Sequence, residues 1–281
     1  MNAKKRVLVV GANSYIGDSF RRYAKGRLFI DVVDSHEEWK TASFDGYDSV
    51  LVVAGIAHQK QTAANKDLYF AINRDLAVDV AKKAKASGVG QFVYLSSMAV
   101  YGLLEGEITE DTLPSPREGD YYGQSKYQAE NELMALFGMD SCLCIIRPPM
   151  VYGPGCPGKF STLIKVAKIL PFIPKINNQR SMIYIDNLSE LLCIVVEQVV
   201  SGVLKPHNRE YMNTTRLLAS VLEAMGKKRP ILSGFGWLIR LAMWFSPMLK
   251  TAFGSLYYTK AAAKMPFNCD YQIASKSDDI L

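Results

Sequence analysis

Two residues that could share acid–base chemistry lie four positions apart, in Tyr122-Gly-Gln-Ser-Lys126. On a helix this spacing places both side chains on one face. Hydride transfer at an alcohol carbon needs a group that takes the hydroxyl proton, or returns it in the reverse direction. A free tyrosine has a pKa of about 10, and a nearby ammonium favours its phenolate. We predict Tyr122 as the acid/base, with Lys126 and the nicotinamide cation of a bound cofactor together lowering its pKa; an exposed helix pair is the alternative for so short a motif.

The elements that must position this pair alternate along the chain. Strand-like apolar runs are followed by segments with helical periodicity, a pattern that predicts a parallel sheet covered by helices on both faces. The predicted strands are 7–10, 30–34, 49–54, 92–95 and 143–146, and the predicted helices are 16–24, 67–87 and 122–137. Ser96 and Ser97 directly follow the fourth strand, where a hydroxyl could orient a substrate oxygen. The stretch 34–49 is short, so a strand pair is expected to be trimmed there.

The pattern loosens after Arg147. Prolines and glycines crowd residues 148–158, and helical stretches follow at 160–169, 188–200 and 217–225. We predict an α/β fold, a Rossmann-type doubly wound parallel sheet with a smaller C-terminal substrate-binding lobe. Residues 1–150 would form the dinucleotide-binding domain, and residues 151–281 the smaller lobe, interleaved with the first.

A glycine loop joins the first strand to the first helix. Gly11 and Gly17 flank Ser14 where a dinucleotide fold needs a tight turn and a close helix–strand approach, with the helix N-terminus facing a pyrophosphate. Asp34 lies about 20 residues further on, at the end of the second strand, where an acid binds the adenosine ribose and repels a 2′-phosphate. We therefore expect NAD; NADP stays possible through neighbouring cations, and a simple turn or cap is the alternative role for Asp34.

Composition narrows the class of partner. The net charge of +6 in 281 residues suits an anionic ligand but is too scattered for nucleic acid. Five cysteines without zinc-site spacing suit a reducing compartment, and the short apolar run 7–10 is no signal peptide, so we expect a cytoplasmic protein without a bound metal. The apolar stretch 230–254 contains Arg240 and Lys250 and cannot span a bilayer. We interpret it as a helix packed on the protein, with an interfacial membrane helix as the alternative.

Together these features resemble the extended short-chain dehydrogenase/reductase superfamily, the NAD-dependent nucleotide-sugar epimerases, dehydratases and reductases. The resemblance spans roughly residues 7–190. The motifs that carry it are Gly-Ala-Asn-Ser-Tyr-Ile-Gly at 11–17, Ala-Gly-Ile-Ala-His at 54–58, Asn73, Leu-Ser-Ser-Met-Ala-Val-Tyr-Gly at 95–102, Tyr-Gly-Gln-Ser-Lys at 122–126 with Glu130, Arg-Pro-Pro-Met-Val-Tyr-Gly-Pro at 147–154, and Arg-Ser-Met-Ile-Tyr-Ile-Asp-Asn-Leu at 180–188.

The resemblance implies roles for individual residues. Ser97 and Tyr122 would be catalytic, together with Lys126, which would hold the nicotinamide ribose. The cofactor would contact Gly11, Asn13, Ser14, Tyr15, Ile16, Gly17, Asp34, Ala54, Gly55, Ile56, Asn73, Ser96, Tyr122, Lys126 and Pro149. The substrate, a nucleotide sugar expected to be UDP-linked, would contact Ser97, Met98, Met150 and Arg180, where a guanidinium suits a diphosphate. Such enzymes often form homodimers through the helices at 68–86 and 122–137.

Departures from the family pattern narrow the reaction. Ser14 stands at the middle glycine of the loop, and its Cβ restricts the approach of a pyrophosphate. Met98 and Ala99 replace the Asp-Glu pair of 4,6-dehydratases, which disfavours dehydration. Met150 replaces a substrate-binding Asn of 4-epimerases. A 4-epimerase and a 4-ketoreductase for bacterial surface-polysaccharide sugars both remain open, and a non-catalytic dinucleotide-binding regulator is the alternative class.

Overall fold

The computed structural model describes residues 3–57, 59–138, 142–169, 171–234 and 236–273, so His58 of the 54–58 motif lies outside the described residues. The strands are β1 (Arg6–Val10), β2 (Phe29–Val33), β3 (Ser49–Val52), β4 (Gln91–Leu95), β5 (Gly106–Ile108), β6 (Leu143–Ile146), β7 (Met150–Tyr152), β8 (Ile173–Pro174), β9 (Met182–Tyr184), β10 (Gly202–Leu204), β11 (Ile231–Leu232) and β12 (Leu256–Tyr258). The α-helices are α1 (Tyr15–Tyr23), α2 (Glu38–Thr41), α3 (Lys66–Phe70), α4 (Leu76–Ala86), α5 (Tyr121–Phe137), α6 (Lys159–Ile169), α7 (Ile185–Glu197), α8 (Thr214–Ala224), α9 (Gly236–Phe245) and α10 (Pro247–Phe253).

A six-stranded, all-parallel sheet forms the centre, in the order β10-β6-β4-β3-β1-β2. The chain moves outwards from β1 in one direction to β2 and then in the other through β3, β4 and β6. This reversal of strand order is the doubly wound arrangement, and the predicted fold class is confirmed. In such sheets ligands bind outside the carboxyl ends of the strands, at the point where the order reverses.

Strand β2 is an edge of this sheet. Among the described residues no strand pairs with its outer side, and the connection to β3 contains only the four-residue helix α2. The expected trimming between residues 34 and 49 is therefore present. The compact connection leaves the end of β2 beside the glycine loop, where the Gly11 N–H donates to the Val33 carbonyl at 2.9 Å.

Helices cover both faces of the sheet because alternate side chains of its strands are apolar. Val7 and Val9 of β1 point into the layer formed by α1 and α7. Leu8 and Val10 point into the layer formed by α4 and α5. Since parallel strands buried on both faces are apolar throughout, their runs read as continuous rather than alternating in the sequence.

The second half of the chain returns to this sheet before it forms the outer region. Helix α7 packs on α1, and β10 adds the last strand beside β6. The two-stranded pairs β7–β9, β8–β11 and β5–β12 build the outer region together with α6 and α8. Residues 151–281 thus contribute to both regions, and a domain boundary at residue 150 remains a proposal.

The apolar stretch 230–254 forms α9 and α10, which pack against each other. Met243 of α9 is buried, whereas Trp237, Trp244 and Phe245 are exposed. One side of α9 therefore packs on the protein, as expected, whereas its other side is exposed to solvent. Within the described parts of the chain, no helix is long and apolar enough to cross a membrane.

Gly11 provides a test of how tightly the loop must approach β3. A Cβ built at Gly11 would lie 2.7 Å from the Ala54 nitrogen, and its φ of +127° disfavours any L side chain. Gly106 has a similar φ of +121° but nothing within 4 Å of a built Cβ. We expect Gly11→Ala to lower the free energy of unfolding by about 1–3 kcal/mol more than Gly106→Ala, because only Gly11 adds a backbone clash to the strain. Equal losses in urea titrations would contradict this close approach.

Candidate active site

The glycine loop lies across the carboxyl end of the sheet. The Gly11 and Ala12 N–H groups both donate to the Val33 carbonyl, which fixes the loop between β1 and β2. A Cβ at Gly17 would meet the Val53 side chain at 3.1 Å, so α1 packs closely on the sheet. Asn13 has a φ of +60°, a left-handed conformation that asparagine tolerates better than most residues.

Ser14 caps α1, the helix whose N-terminus would face a pyrophosphate. Its Oγ accepts a hydrogen bond from the Gly17 N–H at 3.3 Å. This is an ordinary N-cap, and it satisfies one of the backbone donors that a helix start leaves unpaired. The residue that replaces the middle glycine therefore stabilises the helix and occupies one of its N–H groups.

Asn73 connects the end of β3 to α5. It is fully buried in a π-helical turn, Ala71–Asp75, between α3 and α4. Its Oδ1 accepts from the Ile56 N–H at 2.9 Å, and its Nδ2 donates to the Ile56 carbonyl at 3.2 Å and to Ser125 Oγ at 3.1 Å. Such π-helical turns recur at functional sites. Here the turn lets one amide hold the 54–56 segment against the helix of the Tyr-x-x-x-Lys motif.

Lys126 points inward from α5 towards the end of β4. Its Nζ donates to the Leu95 carbonyl at 2.8 Å and lies 4.7 Å from the centre of the Tyr94 ring. A Cβ at Gly55 would come within 3.3 Å of the same Nζ, so this glycine leaves room for the ammonium. Burial lowers the pKa of Lys126 to about 7, although the Glu130 carboxylate opposes the shift.

Tyr122 and Ser97 meet across the cleft between α5 and β4. Ser97 caps the 3-10 turn Met98–Tyr101, with its Oγ accepting from the Ala99 N–H at 3.1 Å. Burial raises the pKa of Tyr122 above its ordinary value, and a hydrogen bond with the Ser97 side chain opposes this rise. Without a cofactor the Lys126 ammonium is directed to the Leu95 carbonyl and burial of the phenol dominates its pKa, so a phenol pKa lowered by Lys126 and a nicotinamide cation together stays a prediction.

Glu130 and Arg147 form a buried ion pair behind these residues. Arg147 Nη2 and Nε contact the two carboxylate oxygens at 2.6 and 3.0 Å. Ser96 Oγ donates to Glu130 at 2.5 Å, and Arg147 Nη1 donates to the Tyr101 hydroxyl at 2.8 Å. The side chain of Ser96 is engaged in this network, and its predicted contact with the cofactor stays a prediction.

The start of α5 is held by two residues, Asp120 and Gln61, that are not among the predicted site residues. Asp120 caps the helix through the Gly123 N–H at 3.1 Å. Gln61 donates to Asp120 at 3.1 Å and accepts from the Tyr122 N–H at 3.0 Å. The Asp before the helical run is a recognisable N-cap signal. Nothing local marks Gln61, because its partners lie 59 and 61 residues away.

Asp34 has a structural role at the predicted ribose position. Its Oδ1 accepts from the backbone N–H groups of His36, Glu37 and Glu38, and these bonds lower the pKa of its carboxyl. This is the cap considered as the alternative. The carboxylate still lies at the end of β2, beside the glycine loop, so its role toward a ribose remains a prediction.

The predicted substrate residues lie on three elements. Met98 is buried beside Ser97, and its N–H donates to the Pro148 carbonyl, next to the buried Pro149. Met150 begins β7 and pairs with Met182. Arg180 lies just before β9, bridging Met212 and Leu256 through its backbone and donating from Nη1 to the Gly254 carbonyl at 2.8 Å.

A bound dinucleotide fits this arrangement. Gly11 and Gly55 each leave space that a Cβ would fill, directly beside the ends of β3 and α5. Among the described residues the buried Tyr15 hydroxyl of the loop has no hydrogen-bond partner, so it is available to a bound polar group. Ile16 packs inward from the same turn. A glycine loop, a helix N-terminus and a Ser–Tyr–Lys set thus lie together at the carboxyl edge of a doubly wound sheet, where such folds bind dinucleotides.

Comparison with known proteins identifies the family. The model of the NAD dependent epimerase/dehydratase family matches residues 2–211, and the chain belongs to that family. This confirms the resemblance given above and the expected cofactor class. All seven motifs that carry it, from the glycine loop at 11–17 to the segment 180–188, lie within the matched region.

Two of the similar curated proteins are sugar 4-epimerases. The chain is 32% identical to a UDP-glucose 4-epimerase from Vibrio cholerae over 200 residues, which are 66% of this chain and 57% of that protein. It is 26% identical over 247 residues to an N-acetyl-α-D-glucosaminyl-diphospho-ditrans,octacis-undecaprenol 4-epimerase from Escherichia coli O157:H7, covering 80% of this chain and 73% of that protein. The match thus spans little more than half the length of the Vibrio relative.

Solved structures share the fold at lower identity. A UDP-glucuronic acid 4-epimerase from Bacillus cereus in complex with NAD superposes with a TM-score of 0.71 at 16% identity, over 98% of this chain and 96% of that one. A dTDP-4-dehydrorhamnose reductase from Bacillus anthracis in complex with NADP gives 0.66 at 20% identity, over 83% and 84%. Both epimerase and reductase architectures therefore match this chain.

The depressed pKa of Lys126 predicts a pH dependence of stability. Between about pH 7 and 10 the folded lysine loses its proton while the unfolded lysine, with a pKa near 10.4, keeps it. The unfolded state then binds more protons, so stability rises with pH across this window, by up to roughly 1.4 kcal/mol per unit. We expect the substitution Lys126→Met to remove this rise, measured by urea unfolding at several pH values. The exposed Lys82→Met is the control, and an unchanged slope in Lys126→Met would contradict a near-neutral Lys126.

Proposed function

We propose that this chain is an NAD(P)-dependent nucleotide-sugar 4-epimerase or 4-ketoreductase in which Tyr122 is the acid/base. The observation that carries the proposal is the meeting of Tyr122 with Ser97 at the end of β4, while Lys126 on the same helix face reaches the Leu95 carbonyl. Family membership supports the general class of reaction. The particular roles of these three side chains are the proposed part.

Tyr122, Ser97 and Lys126 would each have a separate role in the reaction. A nicotinamide cofactor, when bound, supplies the hydride acceptor or donor. Tyr122, whose pKa is raised by burial, remains a phenol at neutral pH and can donate its proton to a sugar oxygen. Ser97 holds the same oxygen through its hydroxyl. Lys126, whose pKa burial lowers to about 7, reaches the end of β4, where it would hold the nicotinamide ribose.

Arg180 supports a diphosphate-linked substrate. Burial alone lowers the pKa of its guanidinium to about 10. Its Nη1 donates to the Gly254 carbonyl, and in the described part of the chain no carboxylate forms an ion pair with the guanidinium. A half-buried cation without a counter-charge is unfavourable unless an anion binds beside it. We assign that anion to the diphosphate of a nucleotide sugar, with UDP favoured because the Vibrio relative is a UDP-glucose 4-epimerase.

The proposal also covers the type of reaction, the location of the enzyme and its oligomeric state. Dehydration stays disfavoured because Met98 and Ala99 offer no acid after Ser97. We place the enzyme in the cytoplasm and in bacterial surface-polysaccharide sugar synthesis. We also propose a homodimer formed through α3, α4 and α5, because Leu68 and Met134 of those helices are apolar and exposed. The alternative, a non-catalytic dinucleotide-binding regulator, would need no working Tyr122.

Replacing Tyr122 tests the central assignment. We expect Tyr122→Phe to lower turnover by roughly a hundredfold or more, because the proton donor is lost while the ring remains, and to leave NAD(H) binding by calorimetry nearly unchanged. Tyr121→Phe, the adjacent tyrosine, is the matched control. Turnover is measured with a panel of UDP- and dTDP-linked sugars and their 4-keto derivatives.

The same assay separates the two reactions. Interconversion of two isomers with NAD retained on the protein identifies an epimerase, whereas stoichiometric oxidation of added NAD(P)H by a 4-keto sugar identifies a reductase. Near-normal turnover in Tyr122→Phe would overturn the role of Tyr122, and cofactor binding without any turnover across the panel would favour the regulator.

Asp34 allows a test of cofactor choice. Asp34→Asn keeps an Oδ1 that can cap α2 but removes the negative charge that would repel a 2′-phosphate. We expect the affinity for NADP(H) relative to NAD(H) to rise by roughly five- to tenfold in calorimetry, with little change in Tm. Asp45→Asn, another exposed acid, should leave the ratio unchanged. A wild-type protein that already prefers NADP(H) would contradict this interpretation of Asp34.

A further inference from the structure

Helix α9 turns an apolar face towards solvent, the reverse of an ordinary surface helix. Its exposed apolar side chains recur at the spacing of one helix face: Trp237, Leu238, Leu241, Trp244 and Phe245. Trp244 and Phe245 are 83% and 82% exposed. Soluble monomers rarely expose a continuous apolar patch with several large aromatic rings, and such patches mark interaction sites.

The opposite side of α9 fixes the helix to the protein. Met243 is buried, and α9 packs along α10. At its start, a Cβ built at Gly236 would lie 3.6 Å from the Lys175 carbonyl oxygen, so the backbone approaches the end of β8. The helix is thus held in place with its aromatic face outwards, and this face is available to a partner.

The chain segment that contains this helix has positive charges only, and one of them, Lys250, pairs with Glu105 at 3.1 Å. Between Glu223 and Asp270 the sequence contains no acidic residue. The same segment contains the cations Lys227, Lys228, Arg229, Arg240, Lys250, Lys260 and Lys264. Residues 227–229 are exposed in the turn before β11, and Arg240 lies at the border of the aromatic face of α9. The surface therefore combines a wide apolar face with an excess of positive charge.

We propose that α9, together with the basic turn 227–229, is a docking surface for an anionic phospholipid bilayer. A helix with Trp, Phe and Leu on one side and cations at its border lies in the plane of the membrane interface, with its apolar face among the upper acyl chains. Tryptophan favours the headgroup level, and lysine and arginine bind the negative surface. A second copy of this chain would cover the aromatic rings but would bring the same positive charges together.

Docking would bring the outer region of the protein to the bilayer. Arg180 donates to the Gly254 carbonyl, which directly follows α10, so the proposed diphosphate-binding residue is close to the docking helices. Sugars carried on a lipid diphosphate would then be within reach of the site. This consequence for the substrate class rests on the proposed function, whereas the docking itself does not.

Vesicle co-sedimentation of the full chain tests the docking surface separately from catalysis. We expect wild-type protein to bind vesicles of equimolar phosphatidylglycerol and phosphatidylcholine, and to bind pure phosphatidylcholine at least about tenfold more weakly, with the difference reduced by salt. The variant Trp244→Ser/Phe245→Ser should lose at least about tenfold of the binding to anionic vesicles. Leu113→Ser, which changes a leucine that is 80% exposed elsewhere, is the matched control and should bind as wild type does.

Two further measurements complete the design. Lys227→Gln/Lys228→Gln, in an exposed turn, should weaken binding to anionic vesicles only, which tests the charge without altering the helix. Light scattering of wild type and of Trp244→Ser/Phe245→Ser should give the same molar mass. Absence of wild-type binding to anionic vesicles, equal binding by the aromatic variant, or a change of that variant from dimer to monomer would each overturn the proposal, the last by showing that a second copy covers the face.

Discussion

The buried ion pair of Glu130 and Arg147 is the interaction on which the arrangement of the site depends. Glu130 lies four residues after Lys126 and eight after Tyr122, so all three share one stripe of α5. Because both carboxylate oxygens are held by Arg147 at the end of β6, and one of them also by Ser96 at the end of β4, the stripe is fixed against two strand ends. Removing one partner from such a pair leaves an uncompensated buried charge, which costs about 3–5 kcal/mol.

Burial of the same residues also determines the protonation of the site. The dry surroundings that make the ion pair rigid raise the pKa of Tyr122 and lower that of Lys126 to about 7, so both groups are biased towards their neutral forms. A neutral phenol is a proton donor, which suits the reduction of a ketone. Removal of a proton from a hydroxyl, the other half of an epimerase cycle, requires added positive charge near Tyr122.

The sequence was sufficient to predict the sheet, the loop and the paired residues, because each has a local pattern. Continuous apolar runs mark buried strands, glycines mark close approach, and the Tyr-x-x-x-Lys spacing marks one helix face. It could not predict that Lys126 would point to the Leu95 carbonyl, nor that Gln61 would hold the start of α5, since both contacts join distant segments. The exposed side of α9 was also hidden, because a helix that is apolar all round gives no periodicity to indicate which side packs.

The same arginine connects the α5 stripe of Tyr122, Lys126 and Glu130 to the outer region. The Arg147 carbonyl accepts from the Tyr258 hydroxyl at 2.9 Å, and the Tyr258 N–H donates to Ser181 Oγ at 2.9 Å. Ser181 adjoins Arg180, the proposed diphosphate ligand. Buried hydrogen bonds therefore link Glu130 through Arg147 and Tyr258 to Ser181, and they set the separation between the group that would hold the diphosphate and the group that would act on the sugar. Because a reacting carbon must be positioned to within a fraction of an ångström, the proposed chemistry needs a rigid connection of this kind.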